Sequence, residues 1–277
     1  MDLELKGKTI IITGGSGGIG QGLVMEFARE GCNVVSASRD AATGQKLAEE
    51  AKHQGLSGQV LAVATDVTQR ASVEAMIEKA KQRFGPIDGL VNNAGGVAHP
   101  AAFAELDEEA RRWEIALNID GVVNCCQAVA KDMLNLGRGS IVNISSNSSL
   151  LGEAAAGVAH YGATKGFVNS LSKALAWEWA KQGVRVNNIC PGWIVPHKAE
   201  NVGGGSFWNR FGFEQLGKPE DMERARQEGS LFNMSGLPTP RLGRPEDIAN
   251  LALFLASDLS RWMSGAELVA DGAMTVS

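Results

Sequence analysis

Between Lys8 and about Glu200 the chain alternates short runs of β-branched residues with longer segments whose apolar positions recur at helical spacing. Continuous apolar runs of this length read as strands buried on both faces, and the segments between them as helices with one apolar stripe. Seven strands are predicted: Thr9–Thr13, Asn33–Ser36, Gln59–Thr65, Gly89–Asn92, Ser140–Ile144, Val184–Ile189 and, after a gap, Glu267–Ala270. Between them Ile19, Leu23 and Phe27 form one stripe, and Val73, Ile77, Ala80 and Phe84 another. Strand alternating with helix predicts an α/β fold built on one doubly wound, seven-stranded parallel sheet. No repeat of fixed period, low-complexity tract or charge block divides the chain, so residues 1–277 are expected to form a single domain.

The alternation breaks between Pro196 and Pro245. There Gly203, Gly204, Gly205, Phe207, Trp208, Phe211 and Phe213 mix flexible backbone with large apolar side chains before polar, helix-like sequence resumes. An insertion of that composition predicts a substrate lid over about residues 197–240, with a packed helical pair or a subunit contact as the alternative.

Composition removes several classes of function. The chain holds 26 basic and 31 acidic residues, a net charge of −5, with basic residues only in scattered pairs such as Arg111-Arg112. That argues against nucleic acid and anionic membrane as partners. The stretch Met1 to Lys8 mixes charges and has no apolar run fit for a signal peptide or a span, which predicts a cytoplasmic protein. Cys32, Cys125, Cys126 and Cys190 lack metal-type pair spacing, so no metal site is expected and the thiols read as small buried hydrophobes. The 34 glycines among 277 residues exceed the usual share of about 7% and direct attention to tight turns.

The most informative of these turns is Thr13-Gly14-Gly15-Ser16-Gly17-Gly18-Ile19-Gly20, directly after the first strand and opening the helix of Leu23 and Phe27. Glycine lets the backbone approach a pyrophosphate closely, while the helix N-terminus offers free N–H groups and a positive dipole end. A dinucleotide phosphate is the expected ligand. Farther along, Tyr161, the only tyrosine in the chain, precedes Lys165 by one helical turn. A phenol titrates near pH 10 and is a poor base at neutrality, but a neighbouring cation favours phenolate, so Lys165 is expected to lower the Tyr161 pKa.

Taken with Asp66-Val67 after the third strand, Asn92-Asn93-Ala94-Gly95 after the fourth and Pro191-Gly192 after the sixth, the order of motifs resembles that of the short-chain dehydrogenase/reductase family. The resemblance runs from about Lys6 to Gly272 and rests on Gly14, Gly18, Ile19 and Gly20 in a T-G-x-x-x-G-I-G loop, and on Tyr161 and Lys165 in Y-x-x-x-K. It implies a single Rossmann fold and an oxidoreductase that interconverts a ketone and a secondary alcohol. By the same resemblance Tyr161 is the catalytic acid/base, and Lys165 tunes it and holds the nicotinamide ribose. A serine at the end of the fifth strand orients the substrate oxygen; Ser146 fits that position and is the expected serine, with Ser148, which the family's usual spacing from the tyrosine selects, as the alternative. Asn118 falls where the family places a mid-helix asparagine that supports a water in the proton relay.

The resemblance also distributes the cofactor. Gly14, Ser16, Gly18, Ile19 and Gly20 would cradle the pyrophosphate, and Asp66 and Val67 the adenine. Asn92, with Asn93, Ala94 and Gly95, would lie along the adenosine-side ribose, and Pro191 and Gly192 beside the nicotinamide. Pro196 stands where the family commonly has a carboxamide-binding threonine, leaving the Ile194 backbone, or Ser206 or Asn201, for that contact. Ser38 and Arg39 follow the second strand as in members that use NADP, because a guanidinium pairs with a 2′-phosphate. NADP(H) is therefore expected. Asp40, 20 residues past Gly20, keeps NAD(H) as the alternative, since a carboxylate there accepts from the ribose 2′-OH.

Phe207, Trp208, Phe211, Phe213, Leu231 and Phe232 predict a carbonyl or alcohol substrate with apolar bulk, and His99, Glu153 and His160 are candidates to read a polar group on it. The family habit implies a homotetramer built through the long fourth and fifth helices and the strand around Glu267 to Gly272. A dinucleotide-binding protein without turnover is the reading from another class.

Overall fold

The computed structural model describes residues 2–152, 155, 157–199, 202, 206–230 and 242–276. The apolar runs form seven parallel strands: β1 (Thr9–Thr13), β2 (Asn33–Ser38), β3 (Gln59–Ala64), β4 (Gly89–Asn92), β5 (Gly139–Ile144), β6 (Val184–Pro191) and β7 (Glu267–Ala270). Their order across the sheet is β3-β2-β1-β4-β5-β6-β7, with Thr13 beside Ala37 and Asn92 beside Asn143. Two strands run farther than the sequence predicts. Ala37 and Ser38 lie beyond the predicted end of the second strand, yet both are buried and stay in register with Val63 and Ala64. Cys190 and Pro191 likewise continue β6 against Val269 and Ala270.

Because side chains alternate along a strand, each strand feeds both faces. Ile11 enters a core closed by α3 (Arg70–Phe84), α5 (Gly121–Leu136) and α6 (Ala159–Trp179). Ile10 and Ile12 enter the opposite core, closed by α1 (Ile19–Arg29), α2 (Ala41–His53) and α9 (Pro245–Ala256). The predicted stripes face these cores: Leu23 and Phe27 are fully buried, as are Val73 and Ala80. All four cysteines are free and buried, so they pack as the small hydrophobes expected.

The predicted fourth helix has an irregularity that positions the site. α4 (Glu108–Ile115), capped by Asp107 accepting the Ala110 N–H at 2.7 Å, passes through a π-helical turn at Ala116–Asp120 before continuing as α5. π-turns of this kind let one side chain leave the regular helical register, and here the turn contains the buried Asn118.

The insertion packs as a third, small apolar cluster of Val195, Val202, Trp208, Met222 and Leu242, with Trp193, Phe207 and Phe213 against it. Its described helical parts are a π-helical turn at Trp208–Gly212, α7 (Phe213–Leu216) and α8 (Pro219–Gln227). Glu153, Asn201, Gly203, Gly204, Gly205, Leu231 and Phe232 lie outside the described residues. No helix among the described residues is long and apolar enough to cross a membrane.

Candidate active site

Strand order reverses between β1 and β4, whose connections leave toward opposite faces of the sheet. Such a switch point opens a crevice at the carboxyl ends of the strands. Here it is a cleft of about 790 Å³, and Gly14, Ser16, Gly18, Ile19, Ser38, Arg39, Asp66, Val67, Asn93, Ala94 and Gly95 lie along one part of its wall. Ser146, Tyr161, Lys165, Pro191, Gly192 and Ile194 lie along the rest.

The glycine loop is tied to the loop after β4. Asn93 Nδ2 donates to the carbonyls of Thr13 and Gly14 at 3.0 and 3.1 Å, and Thr13 Oγ1 accepts from the N–H groups of Asn93 and Ala94, both at 3.0 Å. Gly14 has φ 65°, and a Cβ there would stand 2.9 Å from Ala94 Cα. Gly20 does not reach the cleft wall: it sits behind the loop, where a Cβ would be driven into the Gly14 carbonyl oxygen. Gly20→Ala is expected to destabilise the fold by about 2 kcal/mol, read as a lower urea midpoint at unchanged slope.

Asn92 departs from expectation. As the last residue of β4 its side chain turns into the sheet interior and donates to Asn143 Oδ1 at 2.8 Å, so Asn93 is the asparagine at the cleft. Beyond β2, Ser38 Oγ donates to the Asp40 carbonyl at 2.9 Å. The Asp40 carboxylate caps α2, accepting the N–H groups of Ala42 and Thr43 and the Thr43 hydroxyl, and these bonds hold it below the usual carboxylate range. Asp66 caps its own turn in the same way, accepting from Thr68 N–H and hydroxyl at 3.0 and 2.8 Å. Arg39 is exposed and makes no ion pair among the described residues.

On the other wall α6 presents Tyr161 to the cleft and buries Lys165 beneath it. Lys165 Nζ donates to the Ile144 carbonyl at 2.8 Å and lies 5.7 Å from the centre of the tyrosine ring. Burial pulls the ammonium down to about 8. Burial also pushes the Tyr161 phenol up to about 12, against a hydrogen bond with Ser146 that lowers it; the charge of Glu114 raises it further. The lowering expected from Lys165 is not found: desolvation of the phenol itself sets the direction. Ser146, at the start of the turn Asn147–Ser149, accepts the Ser148 N–H at 3.2 Å. Ser148 also lines the cleft, but the serine bonded to the phenol is Ser146.

Asn118 is fully buried, away from the cleft wall. Its amide exchanges two 2.9 Å bonds with the Gly96 backbone and donates to Thr164 Oγ1 at 3.1 Å. It braces the loop after β4 against α6. Gly95 is where this brace meets Lys165: a Cβ there would stand 2.9 Å from Lys165 Nζ and 3.1 Å from Asn118 Oδ1.

The far end of the cleft is apolar. Phe207 and Trp208 line it with Trp193 and Trp113, while Phe211 and Phe213 pack behind them. The Ile194 carbonyl is engaged by the Trp208 indole at 2.8 Å, so a backbone contact from Ile194 to a carboxamide falls to its N–H. Ser206 lines the cleft nearby, its hydroxyl accepting the Trp208 N–H at 3.1 Å, and the Pro196 carbonyl is held by Arg244 at 3.2 Å. His99 and His160 do not line the cleft: they pair with Asp107 at 3.5 Å and with buried Glu114 at 2.7 Å. Trp113 and Glu114 are the residues that sequence reading missed; their signal is helical spacing, Glu114 four positions and Trp113 five positions before Asn118. Among the described residues no cluster of three or more His, Cys, Asp or Glu side chains is arranged to hold a metal ion.

The profile of the short chain dehydrogenase family matches residues 8–203. Oxidoreductase UcpA of Escherichia coli (strain K12) is 38% identical, over 99% of this chain and 96% of that protein. The L-rhamnose-1-dehydrogenase of Scheffersomyces stipitis is 35% identical, over 98% of this chain and 97% of that protein. Among solved structures, a 7 alpha-hydroxysteroid dehydrogenase complexed with NADH and 7-oxo glycochenodeoxycholic acid superposes with a TM-score of 0.79 at 30% identity, over 98% of this chain and 95% of that one. Sheet order, glycine loop and tyrosine–lysine pair agree with that kinship: the chain belongs to the short chain dehydrogenase family and is an oxidoreductase acting on an alcohol/carbonyl pair with a nicotinamide dinucleotide.

Proposed function

We propose that the protein is an NADP(H)-dependent oxidoreductase that interconverts a ketone and a secondary alcohol with apolar bulk, with Tyr161 as the acid/base. The observation that carries this reading is the convergence of Ser146, Tyr161 and Lys165 on a cleft that begins at a glycine loop and helix N-terminus.

The residues fit a dinucleotide. The backbone of Gly14, Ser16, Gly18 and Ile19 meets the pyrophosphate where a side chain on Gly14 would collide with Ala94. Asp66 and Val67 hold the adenine, Asn93, Ala94 and Gly95 the intervening wall, and Lys165 the ribose next to the nicotinamide. Pro191, Gly192 and the Ile194 N–H flank the carboxamide. When bound, the nicotinamide supplies or accepts the hydride. Ser146 hydrogen-bonds the substrate oxygen beside Tyr161, which gives that oxygen a proton in reduction and takes it in oxidation. Asn118 is a positioning residue, and Trp113, Trp193, Phe207 and Trp208 exclude water from the apolar end, with about residues 197–240 closing as a lid.

The NADP(H) preference is supported by the division of labour beyond β2. Asp40 is committed to capping α2, whereas Arg39 stands exposed on the cleft wall without an ion pair among the described residues. A guanidinium there attracts a 2′-phosphate that a carboxylate would repel. Titrating the protein with NADPH and NADH, followed by energy transfer from its six tryptophans, is expected to give at least about tenfold tighter NADPH binding. Arg39→Asp is expected to abolish or reverse the preference. NADH preference in the unsubstituted protein would instead establish the NAD-dependent alcohol dehydrogenase, and binding of neither would leave a protein without turnover.

A homotetramer through the continuous α4–α5 helix, α6 and the β7 edge accounts for the exposure of Phe167 and Trp177 on α6, the latter 87% exposed, and of Val269 on β7. Light scattering at micromolar concentration tests it, and a monomer would refute it.

A further inference from the structure

α4 and the π-helical turn that follows it project Glu114 and Asn118, one helical turn apart, toward the same two neighbours. Each side chain bonds the loop after β4, and each bonds α6. Asn118 holds Gly96 and Thr164. Glu114 accepts the Ala98 N–H on Oε1 at 2.9 Å and pairs through Oε2 with His160 Nδ1 at 2.7 Å. His160 and Thr164 are themselves one turn apart near the start of α6, and Tyr161 immediately follows His160. Two parallel braces therefore join α4, the loop after β4 and the turn of α6 that carries the phenol. Glu114 is only 1% exposed. Burying a carboxylate is costly unless its oxygens are bonded, and here both are.

We propose that Glu114 and His160 are positioning residues for Tyr161: the buried carboxylate locks the residue before the tyrosine to the Ala98 amide and so fixes the phenol against Ser146. The proposal rests on the acid/base reading of Tyr161. The same carboxylate acts through space. The groups bearing on the phenol are Ser146 after β5, Lys165 on α6, Cys190 on β6, and Glu114 on α4 with its partner His160 on α6. The negative charge of Glu114 favours the protonated phenol. Removing that charge while keeping both bonds must lower the Tyr161 pKa; removing the bonds must loosen the phenol.

Glu114→Gln does the first, since the amide still accepts from Ala98 and donates to His160, and Glu114→Ala does the second. Because Tyr161 is the only tyrosine, ring-labelled tyrosine gives one magnetic resonance signal whose titration needs no substrate. Glu114→Gln is expected to move that titration down by on the order of half a pH unit, about threefold more phenolate at a given pH below the midpoint. It should also keep most of kcat at its own optimum. Glu114→Ala is expected to lose about tenfold to a hundredfold in kcat with the cofactor KM nearly unchanged. A folded Glu114→Ala with full kcat, or a Glu114→Gln titration that does not move, would overturn the proposal; if Glu114→Ala fails to fold, the Glu114→Gln titration decides alone. Failure of the acid/base reading is separate, and shows as full turnover by Tyr161→Phe.

Discussion

Tyr161→Phe is expected to lower turnover by about a thousandfold while leaving fold and cofactor binding intact, because acid/base groups of this kind contribute roughly 10²–10⁴ in rate. The substitution removes one oxygen and its bond with Ser146 from a ring otherwise held by packing, so nothing else at the cleft must move. As no second tyrosine exists in the chain, no other phenol can take over. The direction of the pH dependence follows from the raised phenol. Held up at about 12, Tyr161 is a protonated donor throughout the neutral range, which suits reduction. In oxidation the phenolate is the active form, so the oxidative rate is expected to climb with pH up to that value, whereas the reductive rate stays level and falls only near it. A variant that keeps more than about a tenth of the wild-type kcat, with NADPH binding and thermal melting unchanged, would remove Tyr161 from the mechanism.

Elements whose physics is local were legible in the sequence. All seven strands lie where the apolar runs place them, since a strand buried on both faces must be apolar along most of its length. Tyr161 and Lys165 share a face because four residues make one helical turn. What escaped depends on neighbours remote in the chain. Asn92 and Asn93 are indistinguishable in sequence, yet strand pleating sends one to Asn143 in the interior and the other to the glycine loop. The strand-end position already favours Ser146 over Ser148, but only the folded chain shows its hydrogen bond with Tyr161. The expectation that Lys165 would lower the phenol counted a charge and omitted desolvation, which acts on both partners and is invisible in a linear string. His160 was read as a substrate contact because nothing in the sequence reveals that Glu114 already holds it.

Lys165→Met separates what the site needs from what the fold needs. Turnover is expected to fall by about a hundredfold or more, because the variant lacks both the cation beneath Tyr161 and the proposed contact with the ribose. Stability should move the other way at neutral pH. Burial lowers the lysine from its ordinary 10.5 to about 8, so between these values the unfolded chain binds more protons than the folded one and stability rises with pH. Below pH 8 the wild type therefore carries a penalty of about 3 kcal/mol that is gone above 10.5. Methionine fills nearly the same volume without a charge but leaves the Ile144 carbonyl unpaired, a cost of about 1–3 kcal/mol. The variant should consequently match or modestly exceed the wild type at pH 7 and fall behind it above pH 10.5. Urea unfolding of both proteins across this range checks the sign, and parallel curves would mean that Lys165 carries no buried charge. Crossing curves together with lost turnover would mean that the chain retains, at its own expense in stability, a cation whose use is chemical.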